Sequence, residues 1–158
     1  MLDPDVSVST VVRCPVDVVW AAIADPVRIA QWSPESSGVS VDPGPLATGA
    51  RFGGANRNGL FRWSTSCVVV ESAPGHAFAF DVTYLGFAVA RWRYVVTTVD
   101  GGCSVEEQWW DRRGPMMKAV GIVGTGVVDR ARHNEETMTA TLAALRADLE
   151  ADAEDGSL

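Results

Sequence analysis

The sequence predicts an α+β domain in which a curved antiparallel β-sheet wraps around a long C-terminal α-helix. The middle of the chain, residues 39–111, alternates in short segments separated by turn pairs at Asn58-Gly59, Pro74-Gly75 and Gly101-Gly102. Such pairs join neighbouring antiparallel strands, and with the flanking segments they predict a sheet of about seven strands. Beyond residue 130 the apolar side chains recur at spacings of three, four and seven, which is the period of one helix face.

Length and composition favour one globular domain over residues 1–158, with residues 151–158 as a frayed tail. The net charge of −7 argues against a nucleic-acid partner, which would need a basic surface. The three cysteines match no zinc or disulfide pattern, so we expect structural thiols, no metal and no cofactor. We find no signal-peptide pattern and no apolar stretch of spanning length, which predicts a cytoplasmic protein without a membrane span.

The first elements are a strand and two short helices. Residues Val6–Cys14 alternate and are rich in β-branched side chains, which indicates a strand. Pro15 suits the first turn of a helix, apolar residues then follow at helical spacing, and Asp25-Pro26 ends that helix. A second short helix is predicted over Val27–Trp32 and is stopped by Ser33-Pro34.

The Gly101-Gly102 turn predicts which strand residues face inward. As a two-residue loop it places Asp100 opposite Cys103 and Val96 opposite Glu107. One face then collects Trp92, Tyr94, Val96 and Thr98 with Val105, Glu107, Trp109 and Asp111. The other face carries Arg91 and Arg93, and we therefore predict that it lies outside.

The other two turns predict the same inner face. The Pro74-Gly75 turn groups Phe78, Phe80, Val82 and Tyr84 with Thr65, Cys67 and Val69. The Asn58-Gly59 turn groups Phe52, Gly54 and Asn56 with Phe61, Trp63 and Thr65, and leaves Arg51, Arg57 and Arg62 outside. The predicted inner face is rich in aromatic rings, and a slip of one residue at any turn would reverse that part of it.

The final helix presents one narrow apolar stripe. It consists of Ala131, Met138, Leu142, Leu145 and Leu149. The preceding run Gly121–Gly126 contains three glycines, each of which weakens a helix by roughly 1 kcal/mol relative to alanine. We expect a kink, a frayed entry or a mobile lid there.

Several short motifs spread over nearly the whole chain carry a family resemblance. They are Cys14-Pro15-Val16-Asp17-Val18-Val19-Trp20, Asp25-Pro26, Gln31-Trp32-Ser33-Pro34-Glu35, Gly49-Ala50-Arg51-Phe52, Asn56-Arg57-Asn58-Gly59 with Trp63, Pro74-Gly75 with Phe78-Ala79-Phe80, Gly101-Gly102-Cys103-Ser104-Val105 and Thr141-Leu142-Ala143-Ala144-Leu145. In this order they resemble the SRPBCC (START-like, Bet v 1-like) superfamily, and within it the polyketide cyclase/dehydrase-like branch of actinobacterial type. The resemblance implies a helix-grip fold with an apolar cavity between the sheet and the C-terminal helix. Family members bind lipids, hormones or polyketides and some are enzymes, but no catalytic motif of a cyclase matches this chain residue by residue.

Glu107 is the candidate catalytic residue, because a carboxylate facing an apolar cavity has a raised pKa and can act as an acid or a base. The alternative is a structural glutamate paired with a helix or loop residue, or a glutamate near the open rim. The candidate ligand-binding residues are the inward rings and polar groups, together with two helix positions. They are Phe52, Asn56, Trp63, Thr65, Phe80, Tyr84, Trp92, Tyr94, Trp109, Asn134 and Met138. Each could instead fill the core or satisfy nearby backbone.

Other ionisable residues are predicted to lie away from any site. His133 falls on the solvent side of the final helix, roughly 150° from the centre of the stripe, and His76 follows an exposed turn. Asp111 is expected to form a surface ion pair with Arg112-Arg113, and Arg130 to lie at the boundary of the stripe.

Three functions are consistent with these observations. The first is binding of a small hydrophobic or aromatic ligand, lipids included, by a monomer or homodimer. The second is a polyketide cyclase/dehydratase-type enzyme in which Glu107 performs acid–base catalysis and Tyr94 or Asn56 orients a carbonyl. The third is a regulatory or protein-interaction domain with a vestigial cavity, which an exposed apolar patch over Met116–Val128 or an outward Trp110 would favour.

Overall fold

A computed structural model describes residues 2–156 of the chain. Its strands and helices are β1 (Val6–Val12), α1 (Val16–Ile23), α2 (Pro26–Trp32), β2 (Ser36–Ser40), β3 (Arg51–Asn58), β4 (Phe61–Ala73), β5 (Ala77–Tyr84), β6 (Phe87–Val99), β7 (Gly102–Asp111), α3 (Pro115–Thr125) and α4 (Arg130–Glu154). The strands form one antiparallel sheet in the order β1-β7-β6-β5-β4-β3-β2. The sheet curls around α4, which confirms the predicted fold class. None of the helices in this part of the chain is long and apolar enough to cross a lipid bilayer.

The two short helices lie where the sequence predicts them. Pro15 is the extended residue that precedes α1, and the Asp25 side chain caps α2 by accepting a hydrogen bond from the Val27 amide at 2.9 Å. Trp32 at the end of α2 is buried, and its indole nitrogen donates to Asp148 of α4 at 3.0 Å. The two helices are therefore tied to the C-terminal helix as well as to the sheet.

The glycine-rich run ends one helix before the next begins. Gly126 has a φ of 70°, the left-handed conformation that commonly follows the last turn of a helix, and it ends α3. Asp129 then caps α4 by accepting a hydrogen bond from the Arg132 amide at 3.0 Å. The run therefore forms the last turns of α3 and its end, and α4 begins four residues after Gly126. Ala131 was predicted to lie in the buried stripe but is exposed, because it lies in the first turn of α4, where Asn134 is the first buried side chain.

Two of the three turns are displaced by one residue from their predicted positions, which shifts the strand pairing by two residues. The loops are Asp100-Gly101 and Gly59-Leu60, so that Glu107 pairs with Tyr94 rather than with Val96. Gly102 belongs to β7, where a Cβ atom would collide with the Val12 carbonyl oxygen of the neighbouring strand. A pairing shift of two residues keeps the strand side chains on their predicted faces. The inner face is therefore as predicted, except that Arg62, predicted to lie outside, lines the cavity from its place next to the β3–β4 turn.

The third turn is longer than predicted and is followed by a β-bulge. Ala73 pairs with Ala77, which leaves three residues in the loop, and Val70 has no partner on β5. The bulge changes the direction of the β4 side chains on its turn side, so Glu71 points outward to Arg93 at 2.7 Å. On the side of the bulge away from the turn, Cys67 and Val69 face inward as predicted.

Candidate functional site

A cavity of about 280 Å³ lies between the concave face of the sheet and the helices. All the candidate ligand-binding residues line it except Asn134, and Glu107 lines it as well. The lining residues among the candidates are Phe52, Asn56, Trp63, Thr65, Phe80, Tyr84, Trp92, Tyr94, Trp109 and Met138. The curl of the sheet brings together residues from five strands and one helix that are far apart in the sequence.

Aromatic rings form much of the cavity wall. Phe52 and Phe80 meet edge to face with their ring centroids 5.3 Å apart, and Trp92 and Trp109 lie 6.4 Å apart with their planes inclined by 53°. Such contacts stabilise the rings in defined positions. The wall is therefore a fixed apolar surface.

Glu107 is a buried carboxyl group in this wall. Its side chain is 2% exposed, and its Oε1 accepts a hydrogen bond from the Tyr94 hydroxyl at 2.8 Å. Burial raises the pKa of Glu107 to about 8, although the Tyr94 hydrogen bond opposes the increase. Burial, and the proximity of Glu107, also raise the pKa of the Tyr94 phenol. At neutral pH both groups therefore carry their protons.

The second carboxyl oxygen of Glu107 has no protein partner. Within residues 2–156 nothing donates to or accepts from Oε2. Since Oε1 is occupied as an acceptor by Tyr94, the proton of the neutral acid belongs on Oε2, where it can be donated to another oxygen. The inward direction and the raised pKa predicted for Glu107 are both found.

Two ion pairs stand beside the cavity. Arg130 binds Glu35 through two hydrogen bonds of 2.7 and 2.9 Å and lies over the Trp63 ring at 5.8 Å. Arg113 binds Asp111 at 2.8 Å, with both side chains less than one-fifth exposed. The Asp111 pair was predicted on the surface but is largely buried, because the Arg113 guanidinium lies against Gly121 of α3. The Lys118 ammonium of α3 lies within 3.9 Å of Asp111.

The Glu35–Arg130 pair was not predicted from the sequence. Its members are separated by 95 residues, and no local pattern marks Glu35 as the partner of a residue on the last helix. The prediction that His133 lies on the solvent side was wrong. Its side chain is only 25% exposed, and its Nε2 lies 3.3 Å from Oε1 of Glu35. The segment after α2 covers that side of α4, which the helix pattern alone places in solvent.

Three further residues that the sequence analysis singled out do not line the cavity. Asn134 is fully buried, and its amide group has no hydrogen-bond partner in the part of the chain that the structure describes. Trp110 lies on the outer face as predicted, but its indole donates to the Leu2 carbonyl at 3.0 Å. His76 is exposed, as expected.

Comparison with known proteins relates the sequence to one family. A family model described as "Polyketide cyclase / dehydrase and lipid transport" matches residues 3–150. A comparison with curated proteins finds no match.

Solved structures share the fold. The Polyketide_cyc-like protein Cgl2372 from Corynebacterium glutamicum is 23% identical, with 98% of this chain and 97% of that chain covered and a TM-score of 0.62. The di-domain ARO/CYC StfQ from the steffimycin biosynthetic pathway is 13% identical, with 94% of this chain and 52% of that chain covered and a TM-score of 0.72. Protein Ms6760 from Mycobacterium smegmatis is 18% identical, with 92% and 90% covered and a TM-score of 0.61. At these identities the likeness shows the fold alone.

Proposed function

Because the chain belongs to the polyketide cyclase/dehydrase and lipid transport family, we propose that it binds a small hydrophobic molecule with a ring system in the cavity between the sheet and α4. The observation that carries this proposal is Glu107, a buried carboxyl group that holds its proton at neutral pH in the wall of a largely aromatic cavity. The ligand is held by contacts with the rings and carries an oxygen that accepts the Glu107 proton.

The rings leave apolar surface for a ligand. Trp63, Phe80 and Trp92 belong to the inner face and line the cavity, yet each is only partly buried. Covering such surface stabilises a complex by roughly 25 cal/mol for each Å² removed from water. The cavity volume of about 280 Å³ lies near the lower end of the range for small-molecule sites, which favours a ligand of a few fused rings.

The oxygen requirement follows from the unpaired Oε2 of Glu107. A buried polar group without a partner costs about 1–3 kcal/mol, and a ligand carbonyl that accepts from it recovers that cost. A hydrocarbon of the same shape does not. We therefore expect the site to prefer a ketone over its hydrocarbon analogue by about tenfold or more.

Fluorenone and fluorene test this preference, since they share one ring skeleton and differ by a carbonyl group. Binding is measured by quenching of tryptophan fluorescence at about pH 6 and about pH 9.5, on either side of the Glu107 pKa of about 8. The wild type should prefer fluorenone at the lower pH and lose the preference at the higher one, where ionised Glu107 no longer donates. The variant Glu107→Gln keeps a donor at both values and should show no such change with pH.

A cavity-filling variant is the control for the location of the site. Thr137 lines the cavity from α4 and is half-buried, so Thr137→Phe should weaken both probes together without changing their ratio. A wild-type preference for fluorenone that persists above the Glu107 pKa would refute the role of Glu107. Failure of both probes to bind would refute the proposed ligand class.

A second candidate function is a dehydratase or cyclase reaction, which the pKa of Glu107 favours because it lies close to neutral pH. The likeness to the ARO/CYC protein StfQ also supports it. In the dehydration of a β-hydroxy ketone, ionised Glu107 would take the α-proton and pass it to the leaving hydroxyl group. The C–H and C–O bonds break, a C=C bond forms, one water molecule leaves, and Glu107 returns to its ionised form.

The compound 4-hydroxy-4-phenylbutan-2-one tests this reaction, because its dehydration forms benzalacetone, which absorbs in the near ultraviolet. The wild type should form benzalacetone at a rate that rises with pH up to about 8, as Glu107 ionises. Glu107→Gln should form none while retaining fluorenone binding. Equal rates for the two proteins would remove Glu107 from the reaction.

A further inference from the structure

Large apolar side chains are exposed at one end of the sheet. Leu60 is 99% exposed at the tip of the β3–β4 hairpin, and Leu85 is 81% exposed at the tip of the β5–β6 hairpin. In an antiparallel sheet with this strand order, the two tips lie at the same end. The other two hairpins turn at the opposite end through Pro74-Gly75-His76 and Asp100-Gly101, which carry no large apolar side chain.

Helix α3 adds a third apolar protrusion at the end that carries the leucine tips. Its C-terminal residue Thr125 accepts a hydrogen bond at 2.8 Å from Asn58, beside the first tip. Met116 on α3 is 60% exposed, Val123 is 79% exposed, and Val128 after the helix is 80% exposed. The two hairpin tips, α3 and Val128 are together called the apolar rim below.

The backbone at Leu85 is an independent sign that the leucine has a role. Its φ of 49° makes it the one non-glycine residue of the described chain in the left-handed region. That conformation costs roughly 1–2 kcal/mol for a residue with a side chain, and Asn-Gly is the usual pair in such turns. A strained leucine whose side chain is 81% exposed adds little packing to the fold, which favours a function outside it.

The apolar rim surrounds the end at which the cavity opens. Val120 and Arg62 line the cavity, yet Val120 is 44% exposed and Arg62 is exposed as well. Tyr84 and Trp63, which lie next to the two hairpin tips, also line it. A surface that covers the rim therefore covers the cavity entrance.

The exposed charges at the rim are mainly positive, whereas the chain as a whole is acidic. Arg57 and Arg62 flank the Leu60 tip and are exposed, and Lys118 on α3 is 58% exposed although its ammonium lies 3.9 Å from Asp111. Asp129, next to Val128, is an exposed acidic residue at the rim. The chain as a whole carries a net charge of −7, and the far end of α4 contains Asp148, Glu150, Asp152 and Glu154. Cations beside exposed leucines at one end, with acidic groups at the other, complement a surface that is apolar inside and anionic outside.

We propose that the apolar rim docks the protein onto an anionic lipid bilayer, with the Leu60 and Leu85 tips inserted and Arg57, Arg62 and Lys118 against the headgroups. Three separate protrusions around an opening suit a fluid layer, which needs no complementary shape, better than the matching surface of a protein partner. The proposal goes beyond ligand binding and holds whether or not a ligand enters the cavity. Docking in this orientation directs the entrance toward the lipid.

Sedimentation with vesicles tests the proposal without any ligand. The wild type should bind vesicles of equal parts phosphatidylcholine and phosphatidylglycerol, and bind phosphatidylcholine vesicles much more weakly. The variant Leu60→Ser/Leu85→Asn should bind the anionic vesicles at least about tenfold more weakly, since each leucine loses its apolar transfer free energy. Replacing Arg57, Arg62 and Lys118 by Gln should lower binding by roughly fivefold for each cation.

The controls separate docking from folding. Leu85→Asn removes the backbone strain and should raise the melting temperature, so weaker binding by this variant does not reflect unfolding. Val99→Ser removes an apolar side chain that is 37% exposed next to the turn at the opposite end, and should leave binding unchanged. The proposal is overturned if the wild type does not sediment with anionic vesicles, or if the leucine variant binds as well as Val99→Ser. A dimer that the leucine variant dissociates, without vesicle binding, would assign the rim to a second copy instead.

Discussion

The proton on Glu107 makes the stability of the fold depend on pH in a way that one substitution removes. The pKa of this carboxyl is raised from 4.5 to about 8 by burial. A raised pKa in the folded state means that the stabilising contribution is complete below the unfolded value and declines as the pH rises through the folded one. At 1.36 kcal/mol for each unit, the full loss above about pH 8 is roughly 5 kcal/mol.

Most of this loss falls between about pH 5 and about pH 7.5, where it amounts to about 3 kcal/mol. Glu107→Gln keeps the acceptor for the Tyr94 hydroxyl and cannot ionise, so its stability should lack that decline. The assay is urea unfolding of both proteins, followed by tryptophan fluorescence at the two pH values. Other titrating groups are present in both proteins and cancel in the difference. A difference in the free energy of unfolding that stays constant between the two pH values would refute the raised pKa of Glu107.

Three further substitutions or reactions have outcomes that follow from local contacts. Gly102→Ala should destabilise the fold by about 3 kcal/mol or more in urea unfolding, because its Cβ would collide with a carbonyl of β1. As the control, Gly38→Ala on the open edge strand should change the free energy of unfolding by less than about 0.5 kcal/mol. Cys67 and Cys103 should resist a disulfide reagent at about pH 8 until the protein is unfolded, since burial raises their pKa values to about 12 and about 11; rapid labelling of the native protein would contradict this. Asn134→Leu should raise the free energy of unfolding by about 1–2 kcal/mol, because the buried amide lacks a protein partner, and a decrease would show that the amide is satisfied.

The inner face of the sheet could be predicted from the sequence because a turn fixes the parity of a strand pair. The predicted positions of the turns near Gly59 and Gly101 were each wrong by one residue, which shifts the pairing by two residues and leaves each side chain on its own face. The face of Glu107 was therefore correct while its partner was not. Turn residues predict the parity of the strand pairing well, and parity decides which face a side chain lies on. They predict the exact loop less well, because either of two overlapping residue pairs can form it.

The surroundings of the final helix could not be predicted in the same way. The pattern of α4 places His133 away from the apolar stripe, and this is correct for an isolated helix. In the fold, Glu35 from the segment after α2 lies against that side and pairs with Arg130. Contacts between segments nearly a hundred residues apart depend on how elements pack, which no spacing within one element encodes.

The bulge at Val70 leaves β4 one residue longer than the stretch of β5 that it faces. A chain lacking Val70 would retain every other pair between these two strands, so we expect the interior strand to tolerate this single deletion. A single insertion nearby would instead turn the Glu71 side chain toward the core. Because a bulge increases the local twist, the shortened strand would also bend less, and the sheet would follow α4 less closely. The width of the cavity therefore depends on Val70, a residue that does not line it.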